Sequence, residues 1–260
     1  MTMRPPRKRF GQNFLHDQNI INKIVTSMNP AASDHFVEIG PGQGAMTQPL
    51  SEAAGKLDVI EIDEDLADDL SHQPWASKLA IHRCDALNFP FDTISSRPGS
   101  LRLAGNLPYN ISTPLLFHIL DYHHLFRDIH VMLQKEVVQR MTAQPGNKTY
   151  GRLTVALAAR CHVESLFSIG AGAFKPAPKV ESAFARLTPL EQPLIAKSEA
   201  PVFDDILRQA FGQRRKQLRN AIKEILTAEQ IRAAGIDPMV RAEVLSVEQF
   251  VKLTHAALNA

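Results

Sequence analysis

The chain has 260 residues, 44% of them hydrophobic, which suits one large or two modest domains with a sizeable core. Lys and Arg total 29 against 27 acidic residues, so a net charge of +2 does not by itself mark a nucleic-acid binder; the distribution of charge must decide. Cys84 and Cys161 lack a Cys-x-x-Cys partner or a histidine at ligand spacing, and no apolar run approaches a membrane span, so the chain is expected to be cytoplasmic, with reduced thiols, no metal and no membrane.

In chain order, the first ten residues carry Arg4, Arg7, Lys8 and Arg9 with no acid, a basic arm that either is simply solvated or contacts phosphate. Phe10-Gly11-Gln12-Asn13-Phe14-Leu15 precedes a helix that should start at Asp17 as N-cap, bury Ile20, Ile21, Ile24, Val25 and Met28, and stop near Pro30. Phe36 to Ile39 reads as a strand, Gly40-Pro41-Gly42-Gln43-Gly44 as a turn, and a helix follows from about Ala45. Leu57 to Ile62 is a second strand whose Glu61 falls about 20 residues past Gly40, the interval at which doubly wound folds hold a ribose hydroxyl. Leu79 to Arg83 runs into Cys84-Asp85-Ala86, and Leu101 to Ala104 runs into Gly105-Asn106-Leu107-Pro108-Tyr109.

That last stretch is compatible with two readings. It can be an ordinary strand-ending turn, because Asn and Pro favour turns. It can also clamp a flat ring: the Asn106 amide accepts from an exocyclic amino group, Pro108 removes a competing donor, and Tyr109 supplies a stacking face. In an open parallel sheet ligands bind at the carboxyl ends of the strands, so Gly40, Glu61, Asp85 and Asn106 should reach one crevice.

Helix Thr113 to Tyr122, strand Ile129 to Leu133 and helix Glu136 to Met141 continue the alternation, followed by a buried helix from Leu153 to Arg160. Two apolar runs, 163–169 and 180–187, flank Phe174-Lys175-Pro176-Ala177-Pro178-Lys179 and are expected to close the sheet as an antiparallel pair. From residue 191 onward the pattern is helical, at roughly 201–212, 214–226 and 246–258, so residues 1–190 and 191–260 are expected to form two domains. Arg208 to Lys223 holds six basic residues and no acid, a one-sign helix suited to phosphate.

The turn Gly40-x-Gly42-x-Gly44 lacks the Gly-x-Gly-x-x-Gly spacing of dinucleotide oxidoreductases, and no Gly-Lys-Ser/Thr follows to make a P-loop. Together with Asp85 and Asn106-Leu107-Pro108-Tyr109, the chain resembles S-adenosylmethionine-dependent methyltransferases that modify adenine at its exocyclic nitrogen. More narrowly it resembles the small-subunit ribosomal RNA adenine dimethyltransferases. That resemblance is carried by Phe10 to Leu15, Glu38 to Gly42, Gly105 to Pro114, Met132 to Val137, Phe174-x-Pro176-x-Pro178-Lys179-Val180-x-Ser182 and Phe211-x-Gln213-Arg214-Arg215-Lys216. Gln43 departs from it, standing where Leu is more usual.

The resemblance implies an α/β fold: a Rossmann-like, mostly parallel methyltransferase sheet with an antiparallel closing strand and a smaller C-terminal helical domain. It implies S-adenosylmethionine as cofactor, with Gln12, Asn13 and Leu15 closing over its methionine end and Gly40 and Gly42 admitting it to the backbone. Glu61, with Ile62 beside it, would hold the ribose, and Asp85 and Ala86 the cofactor's adenine. Asn106, which would also touch the cofactor, and the Leu107 carbonyl would bind the target amino group, with Pro108 fixing the turn of this catalytic stretch and Tyr109 stacked on the target base. Phe174 is either the opposite stacking partner or a core aromatic. Arg214, Arg215, Lys216 and Arg219 would grip RNA. The implied substrate is two adjacent adenines near the 3′ end of small-subunit (16S) ribosomal RNA, within a precursor particle, acted on by a monomer. A sister enzyme acting on large-subunit RNA or DNA, and an assembly factor with secondary catalysis, are the rival readings.

Overall fold

Local sequence fixes the first elements of the computed structural model, which describes Arg7 and residues 11–260. The remaining arm positions, Arg4, Lys8 and Arg9 among them, and Phe10 lie outside the described residues. Phe14–Leu15 is a short strand, β1, and Asp17 caps helix α1 (Gln18–Met28) by accepting from the Asn19 and Ile20 N–H groups. Ile21, Ile24 and Met28 form the buried stripe of α1, and Asn29 ends it in the left-handed region at φ 47°.

Strand and helix then alternate through β2 (His35–Ile39), α2 (Thr47–Ala53), β3 (Lys56–Glu61), α3 (Glu64–Ser71), β4 (Leu79–Arg83), β5 (Leu101–Asn106), α4 (Ser112–Asp121), β6 (Phe126–Gln134), α5 (Lys135–Met141) and α6 (Arg152–Ala158). Next come β7 (Cys161–Ile169), β8 (Phe174–Lys175) and β9 (Ser182–Pro189), and then α7 (Ala200–Gly212), α8 (Leu218–Ala221), α9 (Ala228–Ala233) and α10 (Val247–Leu258).

Among the described residues, seven strands form one sheet in the order β4-β3-β2-β5-β6-β9-β7. The pairs from β4 to β6 are parallel, and β9 runs antiparallel to β6. The chain winds outward from β2 to β4 and returns to lay β5 beside β2, so the topological switch point lies between the ends of β2 and β5. Gly105 permits the close approach there: a Cβ on it would sit 2.9 Å from the Ile39 carbonyl oxygen. Near-continuous apolar burial along β2, β3, β5 and β6 is what a sheet covered on both faces requires. At the start of β5 the buried Arg102 guanidinium donates to Asp34, to Asp128 and to the Met28 carbonyl at 2.6–2.9 Å, fastening the end of α1 beneath the sheet.

Two compact units result, one of residues up to 138 with 164–189 and one of 139–163 with 190–260. Sequence reading assigns 139–163 to the first domain. In the structure this segment joins the second through polar ties: Tyr150 donates to the Leu245 carbonyl at 2.8 Å, Gly146 N–H to the Glu243 carbonyl at 2.7 Å, and Arg160 to Asp204 at 3.3 Å. The expected helix 214–226 is also corrected. Residues 213–217 form a turn, and only Leu218–Ala221 is helical before the chain turns again. The Leu218 and Arg219 N–H groups donate to the carbonyls of Val240 and Pro238 at 2.7 and 3.1 Å, so they are not available to continue α7.

Candidate active site

The carboxyl ends of β2, β3, β4 and β5 enclose a cavity of about 260 Å³. Gly40 and Gly42 from the turn after β2 line it, with Glu61 and Ile62 from β3 and Asp85 and Ala86 after β4. From the β5 side come Asn106, Leu107, Pro108 and Tyr109, and Gln12 and Asn13 cross it from the N-terminal segment.

Gly40 and Gly42 adopt φ of +66° and +56°, conformations that L side chains rarely take. A Cβ on Gly42 would lie 3.1 Å from the Phe14 ring. The turn therefore runs bare backbone along the cavity wall. Glu61, 5% exposed, reaches across it: Oε2 accepts from Gly42 N–H at 3.2 Å and Oε1 from Asp63 N–H at 2.9 Å. Burial raises its carboxyl above the ordinary range, while those two N–H groups pull the other way. Asp85 caps the turn 86–88 by accepting from Leu87 N–H at 2.9 Å, and Ile62, 46% exposed, gives the same region an apolar wall. Burial, with Asp85 adjoining, pushes the Cys84 thiol up, so Cys84 lines the cavity as a neutral thiol.

Asn106 donates from Nδ2 to the Asn13 carbonyl at 3.0 Å. A carbonyl can only accept, so this bond fixes which amide atom is the nitrogen and leaves Oδ1 as the acceptor of a side chain that lines the cavity. Leu107 N–H donates to the Met132 carbonyl at 3.1 Å, holding the following loop against β6. The Tyr109 hydroxyl meets the Ser182 hydroxyl at 2.5 Å, and burial keeps the phenol above its usual range and so protonated.

Sequence reading missed how the N-terminal segment is tied down. Gln12 donates to Asp63 at 3.1 Å, and Arg7 bonds both to Gln12 through its backbone N–H and to Asp63 and Asp65 through its guanidinium. The only signal for Asp63 is its place just past Glu61, which reads equally well as a helix cap, a role it also plays for α3.

Two expected site residues lie elsewhere. Leu15 and Phe174 face each other in the β1/β8 pair and are 7% and 2% exposed, packed in the core with Met28, Phe36 and Phe184. Side chains alternate along a strand, so the inward turn of Leu15 delivers its neighbour Phe14 to the cavity wall. Phe174 is thus the core aromatic, not a stacking face. In the second unit Arg214, Arg215, Lys216 and Arg219 are exposed on and just after the turn that follows α7. Arg214 is engaged, donating to the Lys148 carbonyl at 2.8 Å with Glu243 at 3.5 Å, and Arg219 donates to Gln217 at 3.2 Å. Arg215 and Lys216 form no ion pair among the described residues.

A model of the ribosomal RNA adenine dimethylase family matches residues 3–257. The chain belongs to that family. Ribosomal RNA small subunit methyltransferase A of Pseudomonas syringae pv. syringae is 50% identical over 95% of this chain and 92% of its own. The protein of the same name from Pseudomonas aeruginosa is 46% identical over 96% and 93%. Among solved structures, a dimethyladenosine transferase from Plasmodium falciparum superposes with a TM-score of 0.78 at 25% identity, covering 92% of this chain and 95% of that one. The 23S rRNA methyltransferase ErmE has the same fold, at a TM-score of 0.69 and 23% identity over 94% and 99%. The fold is thus that of the S-adenosylmethionine-dependent methyltransferases.

The residues fit the family's cofactor. A bare glycine turn, a buried carboxylate at the end of β3, and an apolar wall beside an aspartate after β4 match in order an amino-acid chain, a ribose and a purine. Gly42→Ala places a methyl group against Phe14 in a left-handed backbone at a strain of roughly 1–2 kcal/mol; the turn is expected to relax from its cavity-lining form, and recovering that form on binding should lower S-adenosylmethionine affinity about tenfold by calorimetry.

Proposed function

We propose that the chain transfers methyl groups from S-adenosylmethionine to the exocyclic N6 of two adjacent adenines near the 3′ end of small-subunit ribosomal RNA, giving N6,N6-dimethyladenosine, in a precursor particle and as a monomer. The observation that carries the reading is the Asn106 amide, whose Nδ2 is taken up by the Asn13 carbonyl so that Oδ1 is the acceptor left to a residue lining the cofactor crevice at the switch point. Membership of the family supports the same reaction.

When bound, S-adenosylmethionine supplies an electrophilic methyl group on a sulfonium. The protein's task is to present the adenine nitrogen, whose lone pair is conjugated into the ring and is a weak nucleophile. Asn106 Oδ1 and the Leu107 carbonyl accept from the amino hydrogens, favour a pyramidal nitrogen and stabilise the positive charge that grows on it. Pro108 has no N–H to compete for those acceptors. Tyr109 gives its face to the base. Extruding a base costs a few kcal/mol, least from a single-stranded loop, and one aromatic stack at roughly 1–3 kcal/mol offsets much of that. The alkylated nitrogen loses its proton readily, so no dedicated base is needed. The neutral Asn106 can also accept from the single hydrogen left after the first methylation.

Arg215 and Lys216 carry the phosphate contacts, with Arg219 beside them, whereas Arg214 is committed to the Lys148 carbonyl. Replacing Arg215 and Lys216 by Ala is expected to weaken RNA binding and reduce the slope of log K against log salt by about 1.5, cofactor affinity being unchanged. Arg214→Ala should instead lower the melting temperature; an unchanged salt slope in the double variant would remove the turn from the interface.

The function is tested by incubating the protein with labelled S-adenosylmethionine and unmethylated small ribosomal subunits, followed by digestion and mass analysis of nucleosides. Dimethyladenosine in small-subunit RNA is the expected product. Label found only in large-subunit RNA or DNA, offered in parallel, would overturn the substrate assignment.

A further inference from the structure

We infer that Ser182 is a positioning residue for methyl transfer, acting through Tyr109; the inference rests on the proposed role of Tyr109 as the face on which the target base stacks. Ser182 is fully buried, at 0% exposure, and opens β9 opposite Gln134 of β6. Its hydroxyl lies 2.5 Å from the hydroxyl of Tyr109, a residue that lines the cavity. A second buried hydroxyl, that of Ser112, donates to the Tyr109 carbonyl at 3.2 Å.

Tyr109 is therefore held at both ends, by a serine of α4 at its backbone and by a serine of β9 at its phenol. A phenol oxygen lies on the axis about which the ring turns. A bond to it leaves ring rotation free but pins the far end of the side chain, and with it the tilt of the ring over the cavity. That tilt is what a planar base must match in order to stack. The anchor is also stiff. The Leu107 to Tyr109 segment that follows β5 is tied to β6 by the Leu107 N–H bond, and Ser182 belongs to the strand paired with β6, so ring and anchor share one frame. This gives Ser182, 73 residues from Tyr109 in sequence, a reason for its place in the motif that follows the Pro-rich loop.

The test is a double-mutant cycle in the full chain, on unmethylated small subunits, with cofactor affinity and melting temperature measured alongside. Ser182→Ala and Tyr109→Phe each remove one side of the hydroxyl pair and are expected to lower kcat/KM about tenfold, the factor for one partly buried hydrogen bond. The combined variant should be no slower than the worse single one, because both remove the same bond. Cofactor affinity should stay within twofold throughout. A purely structural Ser182 would give additive losses that follow the melting temperature, and that result overturns the inference. If Ser182→Ala does not fold, Tyr109→Phe alone decides, since it breaks the same bond from the other side; wild-type kcat/KM in it overturns the inference. Tyr109→Ala separates this from the parent reading. A large loss there beside wild-type rates in Ser182→Ala and Tyr109→Phe overturns the positioning role alone, whereas a wild-type rate in Tyr109→Ala overturns the role of Tyr109 and this inference together.

Discussion

Asn106→Ala is expected to lower the single-turnover rate of methyl transfer by about 10²–10³, the usual effect of deleting one preorganised group at a developing charge, while RNA binding stays within a few fold. Two losses combine. Oδ1 no longer accepts from the amino group, and Nδ2 no longer ties the Asn13 carbonyl, so the segment carrying Gln12, Asn13 and Phe14 loses one of its attachments. Asn106→Asp separates them. A carboxylate keeps an acceptor toward the cavity but has no hydrogen to give, and it faces the Asn13 carbonyl with like partial charge. Cofactor affinity should therefore fall further in Asn106→Asp than in Asn106→Ala, by calorimetry, while some transfer persists at saturating cofactor. Wild-type turnover in Asn106→Ala would remove Asn106 from the chemistry. Equal cofactor affinity in both variants would remove it from the anchoring of the N-terminal segment.

The cavity was legible in the sequence because its walls are strand ends, and strand ends are local features. An apolar run followed by Gly40, by Glu61, by Asp85 or by Asn106 needs no tertiary information to be noticed, and parallel winding alone carries the four to one edge. What escaped depends on partners distant in sequence. Phe14 faces the cavity and Leu15 the core only because β1 pairs with β8, some 160 residues away, and a period of two then assigns the sides. Phe174 goes inward by the same pairing. The run from Arg208 to Lys223 has the composition of a helix, yet the Leu218 and Arg219 N–H groups find carbonyls at Val240 and Pro238, and Arg214, Arg215 and Lys216 end on a turn. A turn presents Arg215 and Lys216 without the regular spacing of a helix face. The phosphate contacts proposed for them would be set by the turn's own geometry.

The second large effect concerns pH and arises from Glu38, which the sequence offers as the first residue of the Glu38 to Gly42 stretch but with no role of its own. It sits on β2 at 0% exposure, and neither of its oxygens has a hydrogen-bond partner among the described residues. Burial pushes its carboxyl up to about 8; the Thr47 hydroxyl opposes this without reaching hydrogen-bond geometry, and the Glu61 carboxylate adds to the rise. At neutral pH Glu38 is thus an acid with its proton on, and Glu61 is spared a second charge beneath the glycine turn. The sign of the stability effect follows. Between the unfolded value of about 4.5 and the folded value of about 8, the folded chain holds a proton that the unfolded chain has lost. The contribution is present in full below about pH 4.5 and is lost as pH rises toward 8, at up to about 1.4 kcal/mol per pH unit, a few kcal/mol in all. Glu38→Gln removes this slope. Urea melts at pH 5, 6.5 and 8 should show the variant gaining on the wild type as pH increases, because the other carboxylates are common to both chains and cancel in the difference. At pH 5 the variant should be no more stable than the wild type, since the amide brings a second buried hydrogen that needs an acceptor. Parallel stability curves across that range would show that Glu38 is ionised in the folded chain, with a compensating partner beside it.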